Sequence, residues 1–146
     1  MQLSKDIKIS QAVTVTAGAA GTTDVTGAVL DMQGYDGVLM VVQMGAIVAT
    51  AVTSIKAQQG QAANMSDAAD LAGTGQAIAD DDDEKTFYID LVRPAERYVR
   101  LYVDRATANA TLTAVYIQYK GSKAPTPAHG SNVSGEAHVS PAEGTA

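Results

Sequence analysis

Between Gln11 and Lys120 apolar and polar residues alternate in short runs separated by Gly, Asp and Asn. A repeat of two places alternate side chains on opposite faces of a strand, so the pattern predicts β-strands with one wet and one dry face. The runs are "QAVTVT" (11–16), the weaker "DVTGAVLDM" (24–32), "VLMVVQM" (38–44) and "ATAVTSIKAQQ" (49–59). "EKTFYIDLV" (84–92), "RYVRLYVDR" (97–105) and "ATLTAVYIQYK" (110–120) follow. In the fourth run Thr53, Ile55 and Ala57 share a side, opposite Val52, Ser54 and Lys56. Phe87, Ile89 and Leu91 form the dry side of the fifth, with Tyr88 and Asp90 opposite. Val99, Leu101 and Val103 form the dry side of the sixth, leaving Tyr98, Arg100, Tyr102 and Asp104 outside. The seventh alternates without declaring its buried face. "GYDG" (34–37) reads as a turn, since Gly and Asp tolerate the backbone angles turns need. "RPAE" (93–96) and "RATAN" (105–109) read as turns too, and Pro94 cannot donate to a central ladder. Seven or eight strands at this spacing point to an all-β fold, an antiparallel β-sandwich or jelly-roll-like body in one domain.

Two stretches interrupt the pattern. Residues 60–83 hold Gly, Ala and Asp in an excursion too long for a hairpin turn, expected as a loop. Ser66 or Asp67 is placed to cap one helical turn through Leu71. From Gly121 the chain turns to Pro, Gly, Ser and Ala, with too little apolar surface to offset its ordering entropy. The expected organisation is a body over 1–120, including the long loop 60–83, and a flexible C-terminal arm over 121–146.

Composition supports the β reading: the apolar 46% is mostly Ala and Val, with one Phe and no Trp, and small or β-branched residues suit a pleated surface. A net charge of −6 opposes binding to nucleic acid or to anionic lipid, both of which need a basic surface. With no Cys there is neither a disulfide framework nor a thiolate nucleophile. The N-terminal "MQLSKDIKIS" lacks the apolar core of a secretory signal. "VLMVVQMGAIVATAV" (38–52), the longest apolar run, falls short of the roughly 20 residues that cross a bilayer.

The candidate chemistry starts with "DDDDE", Asp80 to Glu84. Clustered Asp oxygens suit calcium, but calcium loops place ligands at alternating positions around a Gly, and this run does neither. The plainer reading is a solvated loop that keeps a strand end from aggregating. Asp90 and Asp104 are a candidate carboxylate pair if their strands are neighbours; Arg93, Arg97, Arg100 and Arg105 beside them favour a solvated ion-pair face. His129 and His138, the two histidines, fall in the arm, where no rigid frame positions an imidazole for catalysis. No catalytic, cofactor or metal-ligating residue is assigned, and no enzyme activity is expected. Tyr88, Tyr98, Tyr102, Tyr116 and Tyr119 concentrate in the last three strands; with Arg100 they are either an interface or ordinary sheet filling.

"AVTSIKAQQG", "SDAADLAGTG", "IADDDDEKTFYIDLVRPAERYVRLYVDRATANA" and the closing "HVSPAEGTA" resemble a family of small virion proteins of tailed bacteriophages and prophages. The likeness rests on Asp80, Asp81, Asp82, Asp83, Lys85, Asp90, Val92, Pro94, Glu96, Arg97, Tyr98, Val99 and Arg100. It implies a non-catalytic, head-associated structural protein with no cofactor. More finely, it implies a decoration or cement protein with a jelly-roll-like fold, bound to the outer surface of the major capsid protein lattice. Such a protein is made in the bacterial host cytoplasm, pairs with itself as a homodimer or homotrimer, and touches neither nucleic acid nor membrane. Two alternatives stand beside it: a tail, connector or head-fibre component of the same virion, and a calcium- or carbohydrate-binding β-sandwich module. If the arm is the clamp on the shell, deleting residues 124–146 should leave the body folded and lower particle occupancy, measured by quantitative gels of purified particles. Unchanged occupancy would remove the arm from the mechanism.

Overall fold

The computed structural model describes residues 3–121, 128–139 and 143. One helical turn, α1 (Leu3–Asp6), leads into ten strands. These are β1 (Ile7–Val13), β2 (Val25–Thr26), β3 (Leu30–Asp31), β4 (Tyr35–Ile47), β5 (Val52–Gly60), β6 (Ala69–Asp70), β7 (Gln76–Ile78), β8 (Thr86–Val92), β9 (Tyr98–Ala106) and β10 (Ala110–Gly121). All pairings are antiparallel. One sheet runs β1-β10-β4-β8; in the other β9 and β5 are central, flanked by β2 and β3 on one side and β6 and β7 on the other. Taking β2 with β3, and β6 with β7, as two interrupted strands leaves eight positions, ordered 1-8-3-6 and 2-7-4-5 along the chain. That is the winding of a jelly roll, and the all-β sandwich expected from the alternation is the fold observed.

The core lies between the sheets. Val38, Met40, Val42 and Met44 of β4 and Leu112, Ala114 and Tyr116 of β10 face Ile55 and Ala57 of β5 and Val99, Leu101 and Val103 of β9. The dry faces read from alternation in β8 and β9 are the ones turned to the core, and β10 buries Ala110, Leu112, Ala114, Tyr116 and Gln118. Where the pattern misled, a local hydrogen bond is the cause. The first strand ends at Val13 because the Thr14 carbonyl and hydroxyl accept from the amides of Gly18 (2.8 Å) and Ala17 (3.1 Å), which turns the chain and leaves Val15 in solvent. The fourth strand of the expected set starts at Val52, after a turn at Thr50 in the left-handed region (φ 73°).

The stretch 60–83 is not one loop. It returns twice to β5, as β6 at Gln58 and Gln59 and as β7 at Thr53 to Ile55, and so fills the fourth position of its sheet. No helical turn forms at Ser66. Asp67 instead accepts from the amides of Gln61 (2.8 Å) and Ala62 (3.2 Å), which hold its carboxyl below the usual carboxylate range. Of the arm expected over 121–146, residues 122–127, 140–142 and 144–146 lie outside the described residues. The described part runs along the free side of β1: the Ile9 amide donates to His129 Nδ1 (3.1 Å), the Gly130 amide to the Ile9 carbonyl (2.8 Å), and Asn132 Nδ2 to Gln11 Oε1 (2.5 Å).

Tyr116 ties the sheets together. Its ring is fully buried on β10, and its hydroxyl crosses to the other sheet where β2 breaks from β3. There the Leu101 amide donates to it (2.8 Å), and it donates to the Ala28 carbonyl (2.9 Å). The hydroxyl stands in for a missing strand residue. The Gly27 amide donates to the Leu101 carbonyl (2.8 Å), and a Cβ on Gly27 would sit 2.5 Å from the Tyr116 oxygen, so glycine is required at the break. Tyr116→Phe should lower the unfolding free energy by about 2–4 kcal/mol, because a buried amide and carbonyl lose their partner together. Denaturant titration measures this, and a loss below experimental error would show that water replaces the hydroxyl. Burial also pushes the Tyr116 phenol well above its ordinary range, and burial with the Asp90 hydrogen bond pushes Tyr119 up to about 12. The folded state therefore holds these protons more tightly than the unfolded chain. Their contribution is complete below the ordinary tyrosine value near 10.0 and is lost as pH rises toward 12. Absorbance titration near 295 nm should show these phenols ionising late, together with unfolding.

Candidate interaction surface

A jelly roll ends its ladders where the chain crosses from one sheet to the other, and the acidic run sits at such a crossing. β4 leaves its sheet at Ile47 and enters the other as β5. Asp83 Oδ1 accepts from the Ile47 amide (2.6 Å) and Asp80 Oδ2 from the Thr50 amide (2.8 Å). Asp82 accepts from the Ala79 amide (3.0 Å) and pairs with Lys85, which holds the Asp82 carboxyl below and the Lys85 ammonium above their ordinary ranges. Three of the four aspartates are thus backbone acceptors. The run stays largely in solvent, as the loop reading expects, and Asp80 and Asp83 also serve a crossing whose amides have left the ladder. Among the described residues no three His, Asp or Glu side chains gather as metal ligands.

The other crossing at this end, β9 to β10, is held by a cation. Arg105 is 5% exposed; its Nε donates to the Thr23 carbonyl (2.7 Å) and its Nη1 to the carbonyls of Ala19 (2.7 Å) and Ala110 (2.8 Å). Burial lowers its pKa from the ordinary arginine value. Arg105 was expected on a solvated face, yet the alternation Val99, Leu101, Val103 already points its side chain inward. The signal was in the sequence, masked by charge. Arg97 donates two bonds to Asp31 (2.9 and 2.7 Å), and Arg100 donates to Gln58 Oε1 (2.8 Å). The Arg97 guanidinium holds the Asp31 carboxyl below its ordinary range.

Asp90 and Asp104 do not meet. Asp90 is on β8 of one sheet, accepting from the Tyr119 hydroxyl (2.6 Å), and Asp104 is on β9 of the other, beside Ser54 and Lys56. The carboxylate pair fails because adjacent runs in sequence belong to opposite sheets. His129 lies against β1, and His138 pairs with Glu136 in solvent. The tyrosines separate likewise. Tyr116 is core, removing it from any interface; Tyr119 covers Gly37, where a Cβ would sit 2.3 Å from its ring. Tyr98 and Tyr102 lie under Arg97 and Lys56 on the outer face of the second sheet.

Tyr88 is different: it is 64% exposed on β8, with Val92 59% exposed four residues on. β8 pairs with β4 alone and is an edge. The Lys85 carbonyl accepts from Met44 and the Arg93 amide donates to Asp36, so odd-numbered residues of this stretch face β4. The backbone groups of Thr86, Tyr88, Asp90 and Val92 therefore face away from the sheet; the Tyr88 carbonyl accepts from Gln76 Nε2 (2.8 Å). β8 starts at the acidic crossing and ends beside a cleft of about 410 Å³ lined by Tyr35, Asp36, Arg93, Pro94, Glu96 and Arg97. Exposed apolar side chains beside unpaired backbone are the surface a protein strand recognises.

No protein-family model and no curated protein matches the chain. One solved structure that it resembles is the crystal structure of SPBc2 prophage-derived protein YomS, at 13% identity and a TM-score of 0.45, covering 77% of this chain and 93% of that one. Among the described residues no helix is long and apolar enough to cross a membrane.

Because Asp80, Asp82 and Asp83 are occupied by amides, Asp83→Ala should cost about 1–3 kcal/mol of stability. Millimolar calcium should leave the melting temperature of the unaltered chain unchanged. A calcium-dependent rise lost in Asp83→Ala would overturn the corner role.

Proposed function

We propose that the chain is a structural, non-catalytic virion protein that decorates the outer surface of a tailed-phage head, binding the major capsid protein lattice and stabilising the assembled shell. One observation carries this reading: the segment on which the resemblance rests, Asp80 to Arg100, is spent on architecture and on an exposed edge. Asp80 and Asp83 hold a crossing, Asp90 anchors Tyr119, Arg97 anchors Asp31 and Val99 is core. Between them lies β8, with Tyr88 and Val92 presented to solvent. A residue pattern that builds a rigid body and offers one strand suits a protein whose work is to hold other protein. Binding the assembled lattice more tightly than free subunits stabilises a shell by mass action, and many repeated contacts sum through effective concentration. A net charge of −6 keeps the unbound protein soluble and favours no nucleic acid.

The same body would serve at a tail, connector or head fibre, and copy number distinguishes these positions. In purified particles of the phage that encodes the chain, the ratio to major capsid protein should approach a simple fraction of the lattice copy number. A handful of copies per particle would move the protein to a vertex or the tail, and absence from particles would end the virion reading.

A further inference from the structure

β8 is the one long strand edge that the described residues leave uncovered. β1, at the other side of the same sheet, is lined by residues 129–132, and the second sheet ends in the two- and three-residue strands β2, β3, β6 and β7. β8 has seven residues with no proline, bulge or lysine within it, and Asp90 is its one charged side chain. Its ends carry opposite charge. Asp80 to Glu84 precede it; Arg93 follows it, with no ion-pair partner among the described residues.

We propose that β8 pairs antiparallel with β8 of a second copy of this chain, joining two four-stranded sheets into one continuous eight-stranded sheet around a twofold axis. A strand that is acidic at one end and basic at the other is complementary to itself when reversed, and a twofold interface requires that self-complementarity. The outward groups are those of even-numbered residues, so the register must set even opposite even. Centring the axis on Tyr88 sets Thr86 against Asp90 and Phe87 against Ile89, and brings the acidic turn that precedes each strand toward Arg93 at the end of the other. Centring it one residue later sets Lys85 against Arg93, a like-charge contact, so charge selects the first register. In that register the half-buried Phe87 and Leu91 extend the dry face across the axis, and the two exposed Tyr88 rings meet on the outer face. The carbonyl that Gln76 engages keeps a second lone pair for the partner amide. Centred pairing closes after two copies and leaves no free β8, so it makes a dimer and not a trimer. The pairing is a property of the free chain and does not depend on the virion reading.

Sedimentation of the full chain should give twice the 15.0 kDa monomer mass. Arg93→Glu alone and Glu84→Lys alone should each weaken dimerisation by about tenfold or more, since each change acts twice per dimer. The double variant should restore it. Tyr88→Pro removes an outward amide without touching the ladder to β4 and should give a monomer whose far-ultraviolet circular dichroism is unchanged. Backbone amide exchange supplies a readout that needs no variant: the amides of Thr86, Tyr88, Asp90 and Val92 should gain protection as concentration rises. A monomer throughout the accessible concentration range, a trimer, or a dimer that ignores the charge swap and leaves these amides unprotected would each overturn the proposal.

Discussion

A chain that winds between two sheets must leave a hydrogen-bonded ladder at every crossing, and each amide or carbonyl so released needs a partner. The rest of this structure depends on how that need is met. At the crossing out of β4 the partners are the carboxylates of Asp80 and Asp83; at the crossing into β10 they are the N–H groups of Arg105; where β2 breaks from β3 the partner is the Tyr116 hydroxyl. Each is a side chain able to do what a neighbouring strand would have done. A buried backbone group without such a partner costs about 1–3 kcal/mol, a large share of the stability of a small domain, so these few contacts decide whether the winding is tenable.

The same economy explains why the most distinctive residues of the chain are not a reaction centre. A run of acids is conspicuous in sequence, but its carboxylates are directed at the amides of a neighbouring corner. Fixing that corner also fixes β8, whose first residue follows two positions after Glu84. The segment thereby presents a rigid edge with acid at one end and arginine at the other. A flexible strand with the same residues would lose ordering entropy on every encounter; one already paired to β4 has lost it on folding.

Much of the fold was legible in the chain. Alternation in residues 86–92 and 98–103 assigns the dry faces correctly, because a strand's side-chain period is a local property of the backbone. The stretch 60–83 was opaque for the complementary reason: β6 and β7 are two and three residues long, held by pairing to β5 and not by any pattern of their own. Arg105 lay between these cases. Its position in the alternation was right for burial, and only the carbonyls of Ala19 and Thr23, far back in the chain, and of Ala110 across the turn make a buried guanidinium acceptable there.

By itself the sequence determined the class: an all-β body of small and β-branched residues, without the cysteines or basic surface of other functional classes. It also determined which face of β8 and of β9 is dry. The tertiary structure decided which strands are neighbours, and so which charges meet. Asp90 and Asp104 went to different sheets, the aspartate run went to a corner, and one tyrosine of the five entered the core. Periodicity is carried by adjacent residues and can be read along the chain; pairing is a contact between residues far apart in sequence, and no local pattern encodes it.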